Sequence, residues 1–475
     1  MSILLEKLSK VVSAGGLISG DGLNDRLFPG SNLPIALVRP KTTEEVAQIL
    51  SICHELDQPV VPHGGLTGLV DATQSNQQEV ALSLERMNTI EAIDVQSRTM
   101  TVQAGVPLQT VQEKADEAGM LFPLDLGARG TATIGGNAST NAGGNRVIRY
   151  GMMRDQILGM EVVLADGTII SSMNKILKNN TGYDLKQLFV GSEGTLGIVT
   201  RLVLRMRSLP VSQEMALLAI DDFTKVTDFL NHIDSALGGT LSAYEVLWQD
   251  YYQLVTQPPA EGKAPLPHNY KYYVLLEALG GSITADQERF VAALTEALEQ
   301  ELIADAVIAQ NQGERDALWA IRDDVGQVAQ NAPIFAFDIS VSLNHMESYV
   351  EELKASLTER WPDHSCMIFG HLGDGNLHII VGNGDSSIEA KKAIDETVYA
   401  GLPARGGSVS AEHGIGLQKK EYLSWSRNPD EINLMKMLKQ SLDPKGILNP
   451  GKIFCLLYTS PSPRDQRGSR MPSSA

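Results

Sequence analysis

The chain has 475 residues, of which 43% are hydrophobic and 20% charged, the composition of a globular protein with more than one hydrophobic core. Its net charge of −18 argues against nucleic acid or an anionic membrane as a partner, because both would be repelled. Cys53, Cys366 and Cys455 show no paired spacing, which predicts free thiols in a reducing compartment. Glu6 and Lys7 interrupt the first apolar run too early for a signal peptide, and no stretch has the length of a membrane span. We therefore expect a cytoplasmic protein, with peripheral attachment at the inner face of a membrane left open.

The segment 41–62 predicts a capped helix followed by a strand. Thr42 and Glu45 have the spacing of a capping box, and apolar residues follow at helical intervals. PVVP (59–62) then predicts a short buried strand that leads directly into HGGLTG (63–68).

The remaining elements of the first 210 residues alternate between strands and Gly-rich loops. A helix is expected over 107–119, because Pro107 stands near its start and Gly119 at its end. Asp166-Gly167 predicts the turn of a hairpin over 160–170. The other expected strands are 79–84, 90–94, 99–105 and 194–206.

The sequence pattern changes near Pro210: beyond it, predicted helices and strands alternate and glycines are fewer. We expect a first unit over 1–210, an inserted α+β unit over 211–407, and a C-terminal segment over 408–454 that completes the site. The last 21 residues, 455–475, are rich in Ser, Pro and Arg without periodicity, and they are expected to be a disordered, non-native tail.

Two Gly-rich loops, HGGLTG (63–68) and GTATIGGNASTNAGG (130–144), each follow or precede a predicted strand. Glycine permits positive φ and lacks Cβ, so that backbone N–H groups converge on an anion. Neither loop matches a Rossmann or P-loop motif. The loops predict phosphate binding, although a Gly-rich run is also typical of a flexible loop.

GHLGDGNLH (370–378) places His371 and His378 on either side of a flexible turn, which would bring both imidazoles to one ion. Two ligands make a weak site, and Glu412 in SAEHGIG is the candidate third ligand. Two His and one carboxylate would leave open positions for substrate oxygens. Generic turns also produce this spacing, so both interpretations stay open here.

Several motifs in order resemble a known family: PHGGLTG, PLDLGARGTATIGGNASTNAGG, RYGMMRDQILGMEVVLADG, FVGSEGTLGIVT, GHLGDGNLH, SAEHGIGLQKK and LDPKGILNPGK. They resemble the FAD-linked D-2-hydroxy-acid dehydrogenases of the vanillyl-alcohol oxidase/p-cresol methylhydroxylase superfamily, over about residues 20–454. The resemblance implies an α+β fold, with a two-part FAD-binding domain of the p-cresol methylhydroxylase type and an inserted α+β substrate (cap) domain.

The resemblance also implies which residues hold FAD. Leu66 stands where some superfamily members attach flavin covalently through His, so dissociable FAD is expected. A structural role is expected for the side chain of His63. The implied cofactor-binding residues are His63, Gly64, Gly65, Leu66, Thr67, Gly68, Pro123, Gly127, Thr133, Gly135, Gly136, Asn137, Thr140, Asn141, Gly194, Ile198, Val199 and Asn449.

His371, His378 and Glu412 fall on the family's metal-ligand positions, for which zinc is typical. The resemblance implies that His413 is the base that takes the hydroxyl proton. It also implies that Arg322 binds the substrate carboxylate. From the residues alone, a helix-surface arginine paired with Asp323 or Asp324 is a credible alternative.

Three positions depart from the 2-hydroxyglutarate enzymes of this group: Gly326, Ala336 and Ile380 replace polar residues that serve a distal carboxylate. D-lactate or a similar D-2-hydroxy acid is therefore favoured, with D-2-hydroxyglutarate as the other candidate. No nicotinamide motif or iron–sulfur cysteine cluster is visible, so electrons are expected to pass to an external carrier such as electron-transferring flavoprotein or a quinone. A homodimer is compatible. The alternatives are an electron-transfer subunit of a larger complex and a flavin oxidase of an alcohol or phenol.

Overall fold

The computed structural model describes residues 3–24 and 32–454. The predicted C-terminal tail, including Cys455, lies outside these residues. Cys53 and Cys366 are free and buried. Within the described ranges, no helix combines the length and the apolar character that crossing a bilayer requires.

The N-terminal part of the chain, up to Ser208, contains eleven strands among the described residues. They are β1 Leu17–Ile18, β2 Ala36–Val38, β3 Val60–His63, β4 Val80–Ser83, β5 Ile90–Asp94, β6 Thr99–Gln103, β7 Met120–Leu121, β8 Ile157–Val163, β9 Ile169–Ser172, β10 Ile198–Arg205 and β11 Arg207–Ser208. The helices of this part are α1 Ile3–Val11, α2 Thr43–Glu55, α3 Leu108–Glu117, α4 Ile134–Thr140, α5 Val147–Tyr150 and α6 Met153–Gln156. Two 3₁₀ helices span Gly20–Leu23 and Leu185–Leu188.

Two sheets organise this part. The first has the order β1-β2-β4-β3, in which β2, β4 and β3 are parallel. The second is antiparallel with the order β5-β6-β10-β8-β9. Strands β7 and β11 form a separate pair. A shared core of aliphatic side chains, including Val46, Ile49 and Leu50 of α2, joins the two sheets.

The predicted elements of this part are largely present. Thr42 accepts a hydrogen bond from the backbone N–H of Glu45, which confirms the cap of α2. Gly167 has φ +90° in the expected hairpin turn between β8 and β9. The strand expected over 194–206 begins only at Ile198, because Glu193 and Gly194 have φ values of +51° and +70° and turn the chain sharply before it.

The second part is built on one seven-stranded antiparallel sheet with the order β15-β12-β14-β13-β17-β18-β16. Its strands are β12 Ser212–Ile220, β13 Leu241–Trp248, β14 Tyr272–Gly280, β15 Asp305–Ile308, β16 Ile334–Ser340, β17 Ser365–Gly370 and β18 Asn376–Gly382. The helices are α7 Phe223–Leu237, α8 Gln249–Thr256, α9 Ile283–Glu299, α10 Gln312–Asp323, α11 Leu343–Arg360, α12 Ile388–Tyr399 and α13 Pro429–Leu442. Four 3₁₀ helices span Val325–Asn331, Leu372–Asp374, Pro403–Arg405 and Lys420–Trp425.

Both faces of this sheet are buried, which explains its long apolar strands. Along β12, Ala216 and Leu218 belong to one core cluster, whereas Leu217 and Ala219 belong to another, as the two-residue period of a strand requires. Helices α7, α9 and α11 contribute to the first cluster, and α8 and α10 to the second.

The C-terminal segment returns to the first sheet. Leu448 forms a parallel bridge with Val60 of β3, and the backbone N–H of Asn449 donates to the carbonyl of Val60 at 2.8 Å. Lys439 of α13 is buried and donates to the carbonyl oxygens of Thr195 and Leu448 at 2.8 and 2.7 Å. Residues near 449 therefore lie beside the Gly-rich loops although they are distant in sequence.

Candidate active site

A cleft lies between the Gly-rich loops and the seven-stranded sheet. Its larger part is a cavity of about 440 Å³ that runs from residues 64–73 to His371 and His378. A smaller cavity of about 90 Å³ adjoins it and shares Gly64, Thr73 and Thr140 with it.

The first Gly-rich loop packs so closely on the second that larger residues would not fit. A Cβ on Gly64 would lie 2.7 Å from Thr133 Oγ1, and one on Gly65 would lie 1.9 Å from the carbonyl oxygen of Thr131. Asn137 lines the cavity, and its buried Nδ2 has no hydrogen-bond partner among the described residues. A backbone cradle with a free amide donor suits a ligand that carries oxygen acceptors, such as a diphosphate.

Most of the residues expected to bind the cofactor line these two cavities. They are His63, Gly64, Gly65, Leu66, Thr67, Gly68, Gly127, Thr133, Gly135, Gly136, Asn137, Thr140, Gly194, Ile198, Val199 and Asn449. Pro123 and Asn141 do not line either cavity. The Asn141 Oδ1 instead accepts a hydrogen bond from the backbone N–H of Arg154 at 2.9 Å.

His63 lies in the wall of the smaller cavity with only 3% of its surface exposed. Its Nε2–H donates to the carbonyl oxygen of Thr73 at 3.0 Å. Burial lowers the pKa of His63 to about 4, more than this hydrogen bond raises it. The ring is therefore neutral at pH 7 and holds the loop that follows it.

At the other end of the cleft, three candidate ligands converge. His378 of β18 lies opposite Phe369 of β17. The turn between these strands brings His378 close to His371, and the ring centroids of the two histidines lie 5.2 Å apart. Nε2 of His371 lies 4.0 Å from Oε2 of Glu412. One ligand atom from each of the three residues lies within 4.8 Å of the others. A small inward movement of these side chains would suffice for a cation at bonding distance.

A buried carboxylate orients the first histidine. His371 Nδ1–H donates to Glu245 Oε1 at 2.6 Å, which turns Nε2 towards the cleft. Burial opposes the ionisation of Glu245, but His371 and Arg322 outweigh it and lower the pKa of Glu245 to about 2. Glu245 was not identified from the sequence, although a single charged residue in the largely apolar strand β13 is a detectable signal.

Arg322 is only 7% exposed, so it does not lie on the helix surface, although its Nη1 does donate to Oδ1 of the neighbouring Asp323 at 3.3 Å. Its Nε donates to Glu245 Oε2 at 2.8 Å, and its Nη2 donates to His371 Nε2 at 3.3 Å. Its guanidinium also lies 5.3 Å from the ring centre of Phe369. The arginine is thus held beside the metal-ligand candidates and lines the cavity.

Asp338 of β16 fixes the loop that carries Glu412 and His413. Its Oδ2 accepts hydrogen bonds from the backbone N–H groups of Ala411, Glu412 and His413 at 3.1, 2.9 and 2.9 Å. Lys419 donates to the backbone carbonyl of Asp338 at 3.2 Å. The side chain of Asp338 was not assigned a role from the sequence, and the structure makes it the support of both predicted functional residues.

Glu412 is also contacted by the second Gly-rich loop. Its Oε1 accepts a hydrogen bond from the backbone N–H of Gly144 at 2.6 Å, and a Cβ on Gly143 would lie 2.4 Å from the same oxygen. The glycines at 143 and 144 therefore have a second purpose, since they let the first part of the chain touch a ligand candidate of the C-terminal segment.

Glu193 connects the same two regions at a second point. Its carboxylate accepts hydrogen bonds from the backbone N–H groups of Ile415 and Gly416 at 2.7 and 2.8 Å, and its carbonyl accepts one from Asn449 Nδ2 at 2.8 Å. The 413–416 turn is thus held by Asp338 on one side and Glu193 on the other.

With this geometry in view, the comparisons define the class of protein. The structure resembles p-cresol methylhydroxylase with a TM-score of 0.75 at 16% identity, covering 95% of this chain and 96% of that one. It resembles alkyldihydroxyacetonephosphate synthase with a TM-score of 0.74 at 18% identity, covering 95% and 86%. The fold is therefore the two-domain FAD-binding fold of these enzymes. Residues 34–172 match the FAD binding domain family, and residues 209–453 match the FAD linked oxidases, C-terminal domain.

Curated relatives identify the family within this fold to which the chain belongs. The chain is 39% identical to D-2-hydroxyglutarate dehydrogenase of Bos taurus, over 88% of this chain and 76% of the relative. It is 40% identical to the Rattus norvegicus enzyme of the same name, over 88% and 77%. A Schizosaccharomyces pombe relative that carries a D-lactate dehydrogenase name is 36% identical over 87% and 81%. The chain belongs to the FAD-linked D-2-hydroxy-acid dehydrogenases, as the sequence motifs predicted.

The expected cytoplasmic location is contradicted by these comparisons. The relatives from Bos taurus, Rattus norvegicus and Schizosaccharomyces pombe are all named as mitochondrial. The expectation rests on the free cysteines and on a first apolar run that does not fit a secretory signal peptide. Neither property distinguishes the cytoplasm from another reducing compartment.

Proposed function

We propose that this FAD-dependent dehydrogenase oxidises a D-2-hydroxy acid to the 2-oxo acid with the help of a divalent cation held by His371, His378 and Glu412. The observation that supports the cation most directly is the convergence of two imidazoles and one carboxylate within 4.8 Å at the end of the cleft. Zinc suits this donor set, because it prefers nitrogen and oxygen ligands and leaves a position open for substrate.

The second group of candidate ligands, Asp338, His378 and His413, is less suitable. Oδ2 of Asp338 is already occupied by three backbone N–H donors, and its Oδ1 accepts a hydrogen bond from Asn376 at 2.8 Å. His413 is thereby left free to act as a base.

When bound, FAD supplies the hydride acceptor, and the cation supplies a Lewis acid that makes the substrate hydroxyl more acidic. His413 takes the hydroxyl proton, for which an imidazole is suited near neutral pH. Arg322 binds the substrate carboxylate through its Nη groups, because its Nε already donates to Glu245. A cation on His371 Nε2 would displace the hydrogen bond from Arg322 Nη2 to that nitrogen and leave this donor to the carboxylate.

The lining of the cavity favours a substrate with one carboxylate. Arg322 is the only Lys or Arg among the described residues that border the larger cavity. Ala336 and Ile380 are paired across β16 and β18, and both border the cavity near the histidines. A second carboxylate here would lose water without gaining a charged partner. We therefore propose D-lactate or a similar D-2-hydroxy acid before D-2-hydroxyglutarate, with electrons passing from FAD to an external carrier such as electron-transferring flavoprotein or a quinone.

Anaerobic reduction of the bound flavin tests this proposal. The yellow protein should be bleached by D-lactate and not by L-lactate, and zinc analysis of the same sample should give about one ion per chain. Chelation should abolish the bleaching and leave FAD bound, whereas continued bleaching after metal removal would contradict the role of the cation. Failure to bleach with any D-2-hydroxy acid would favour an electron-transfer subunit, and peroxide formed at the rate of turnover would favour an oxidase.

A further inference from the structure

A separate cavity, away from the cleft, is bordered by four arginines. It has a volume of about 370 Å³ and lies among Arg98, Arg149, Arg205 and Arg207. In a chain with a net charge of −18, four cations around one cavity need an explanation. The volume falls in the lower range of small-molecule pockets, about 300 to 1,000 Å³.

The backbone fixes these arginines in one place. Arg205 is the last residue of β10, where it pairs with Thr99 of β6, and Arg98 directly precedes that partner. Arg207 belongs to β11 and pairs with Leu121 of β7. The convergence therefore follows from strand pairing and does not depend on the freedom of long side chains.

Arg149 links the cavity to the second part of the chain. Its Nη1 donates to the carbonyl oxygens of Thr240, at 3.1 Å, and of Leu279. Its guanidinium also lies 5.1 Å from the ring centre of Tyr150, which borders the cavity too. The cavity thus lies where β10 leaves the FAD-binding part and the seven-stranded sheet begins.

Of the four arginines, only Arg149 has a hydrogen-bond partner for its guanidinium within the described part of the chain. Among the described residues, no side-chain hydrogen bond or ion pair reaches the guanidinium of Arg98, Arg205 or Arg207, and the Nε of Arg207 is buried without an acceptor. Burial lowers the pKa of Arg207, and the like charge of Arg205 lowers it further. The nearby carboxylate of Asp155 accepts a hydrogen bond from the Met152 N–H at 3.0 Å and forms no ion pair with the arginines.

We propose that this cavity, defined by Arg98, Arg149, Arg205 and Arg207, binds a small anion of the oligophosphate class. Guanidinium groups present fixed forks of donors that match phosphate oxygens, and several of them share the charge of a multivalent phosphate. The buried Nε of Arg207 would obtain the acceptor that it lacks. The anion would also relieve the repulsion between Arg205 and Arg207, which the folded chain otherwise bears.

Titration calorimetry of the FAD-loaded protein with inorganic triphosphate, at about physiological salt, tests this site. The double variant Arg205→Gln/Arg207→Gln should weaken binding about tenfold or more, since it removes charge-assisted hydrogen bonds. Arg427→Gln, an exposed arginine paired with Glu431 at 3.1 Å, is the matched control and should leave the affinity unchanged. Heat from chelation of an active-site cation would be the same in all three proteins, so only the difference between them reports on the cavity.

Three further measurements complete the test. Without ligand and at low salt, the double variant should melt at the same temperature as the parent chain or higher, because like charges have been removed. If the double variant does not fold, Arg98→Gln serves instead, because Arg98 is exposed.

ATP in the presence of saturating FAD distinguishes a nucleotide from free phosphate, and tighter binding of ATP than of triphosphate would assign the nucleotide. Equal triphosphate affinities of parent and variant, or heats reproduced by KCl at matched ionic strength, would overturn the proposal.

Discussion

Oδ2 of Asp338 lies 2.9 Å from the backbone nitrogen of His413 and 3.8 Å from Nδ1 of its ring. One buried carboxylate thus sets both the path of the loop and the electrostatic environment of the proposed base. Burial opposes the ionisation of Asp338, but His413, Lys419 and the backbone donors hold its pKa well below the usual value. The Asp338 carboxylate that holds the loop therefore stays ionised at neutral pH.

Replacement of Asp338 by Asn should lower kcat/KM for D-lactate about 10- to 100-fold, the usual loss when a group that supports a metal ligand or base is removed. The neutral amide has the same shape as the carboxylate but accepts the three N–H hydrogen bonds more weakly. The loop that carries Glu412 and His413 is then no longer held in place. Steady-state dye reduction measures the effect, and the flavin spectrum should stay that of the parent protein. Asp305→Asn, at the edge of the sheet, is the control; equal activity of Asp338→Asn and the parent would contradict the role.

The supporting residues show what the sequence could and could not predict. The capped helix α2, the hairpin at Asp166-Gly167 and the proximity of His371 to His378 follow from local patterns, since each involves residues within one turn or hairpin. The partnership of Glu245 with His371 joins positions 126 residues apart, and that of Asp338 with His413 joins positions 75 apart. Such pairs depend on the strand order of the seven-stranded sheet, which no local pattern specifies.

Replacement of Glu412 by Gln should reduce the metal content of the purified protein and weaken metal affinity more than about tenfold, because an uncharged ligand replaces a carboxylate. The amide oxygen can still accept the hydrogen bond from Gly144, so the fold should be preserved. Metal analysis after dialysis, together with the flavin absorbance, measures both properties. Glu421→Gln, an exposed position on the same segment, should retain metal, and unchanged metal content in Glu412→Gln would exclude this residue as a ligand.

Arg146 joins the FAD-binding part to the seven-stranded sheet through a bidentate ion pair. Its Nε and Nη2 donate to the two carboxylate oxygens of Glu277 at 2.9 and 3.0 Å, and Glu277 is fully buried. Arg146→Met should lower the free energy of unfolding by about 3–5 kcal/mol, because it leaves a buried charge without its partner. Chemical unfolding at fixed FAD concentration measures this loss, and Arg427→Met should change little.

The double variant Arg146→Met/Glu277→Gln should recover part of that stability, since the uncompensated charge is gone. A double variant less stable than the sum of the two single changes would contradict this account of the pair.

The stability of the chain should also depend on pH through His63. Its pKa is about 4 in the folded chain, against 6.5 for a solvated histidine, so the unfolded chain binds more protons between these values. The contribution of His63 is therefore fully present above pH 6.5 and is lost as the pH falls towards 4, a loss of about 3 kcal/mol. His63→Gln should flatten the slope of unfolding free energy against pH in this window, whereas the exposed His345→Asn should keep it.

The substrate preference should respond to the paired positions Ala336 and Ile380. Ala336 is exposed to the cavity, so a lysine can enter without displacing the core, and Ile380 lies directly across the sheet from it. The variant Ala336→Lys/Ile380→Asn should raise the ratio of kcat/KM for D-2-hydroxyglutarate to that for D-lactate by about tenfold or more, because a buried distal carboxylate gains a charged partner. Ala336→Met/Ile380→Asn has similar length without the charge and should leave the ratio low. A parent protein that already prefers D-2-hydroxyglutarate, with no further gain in the lysine variant, would show that the second carboxylate is bound elsewhere in the cleft.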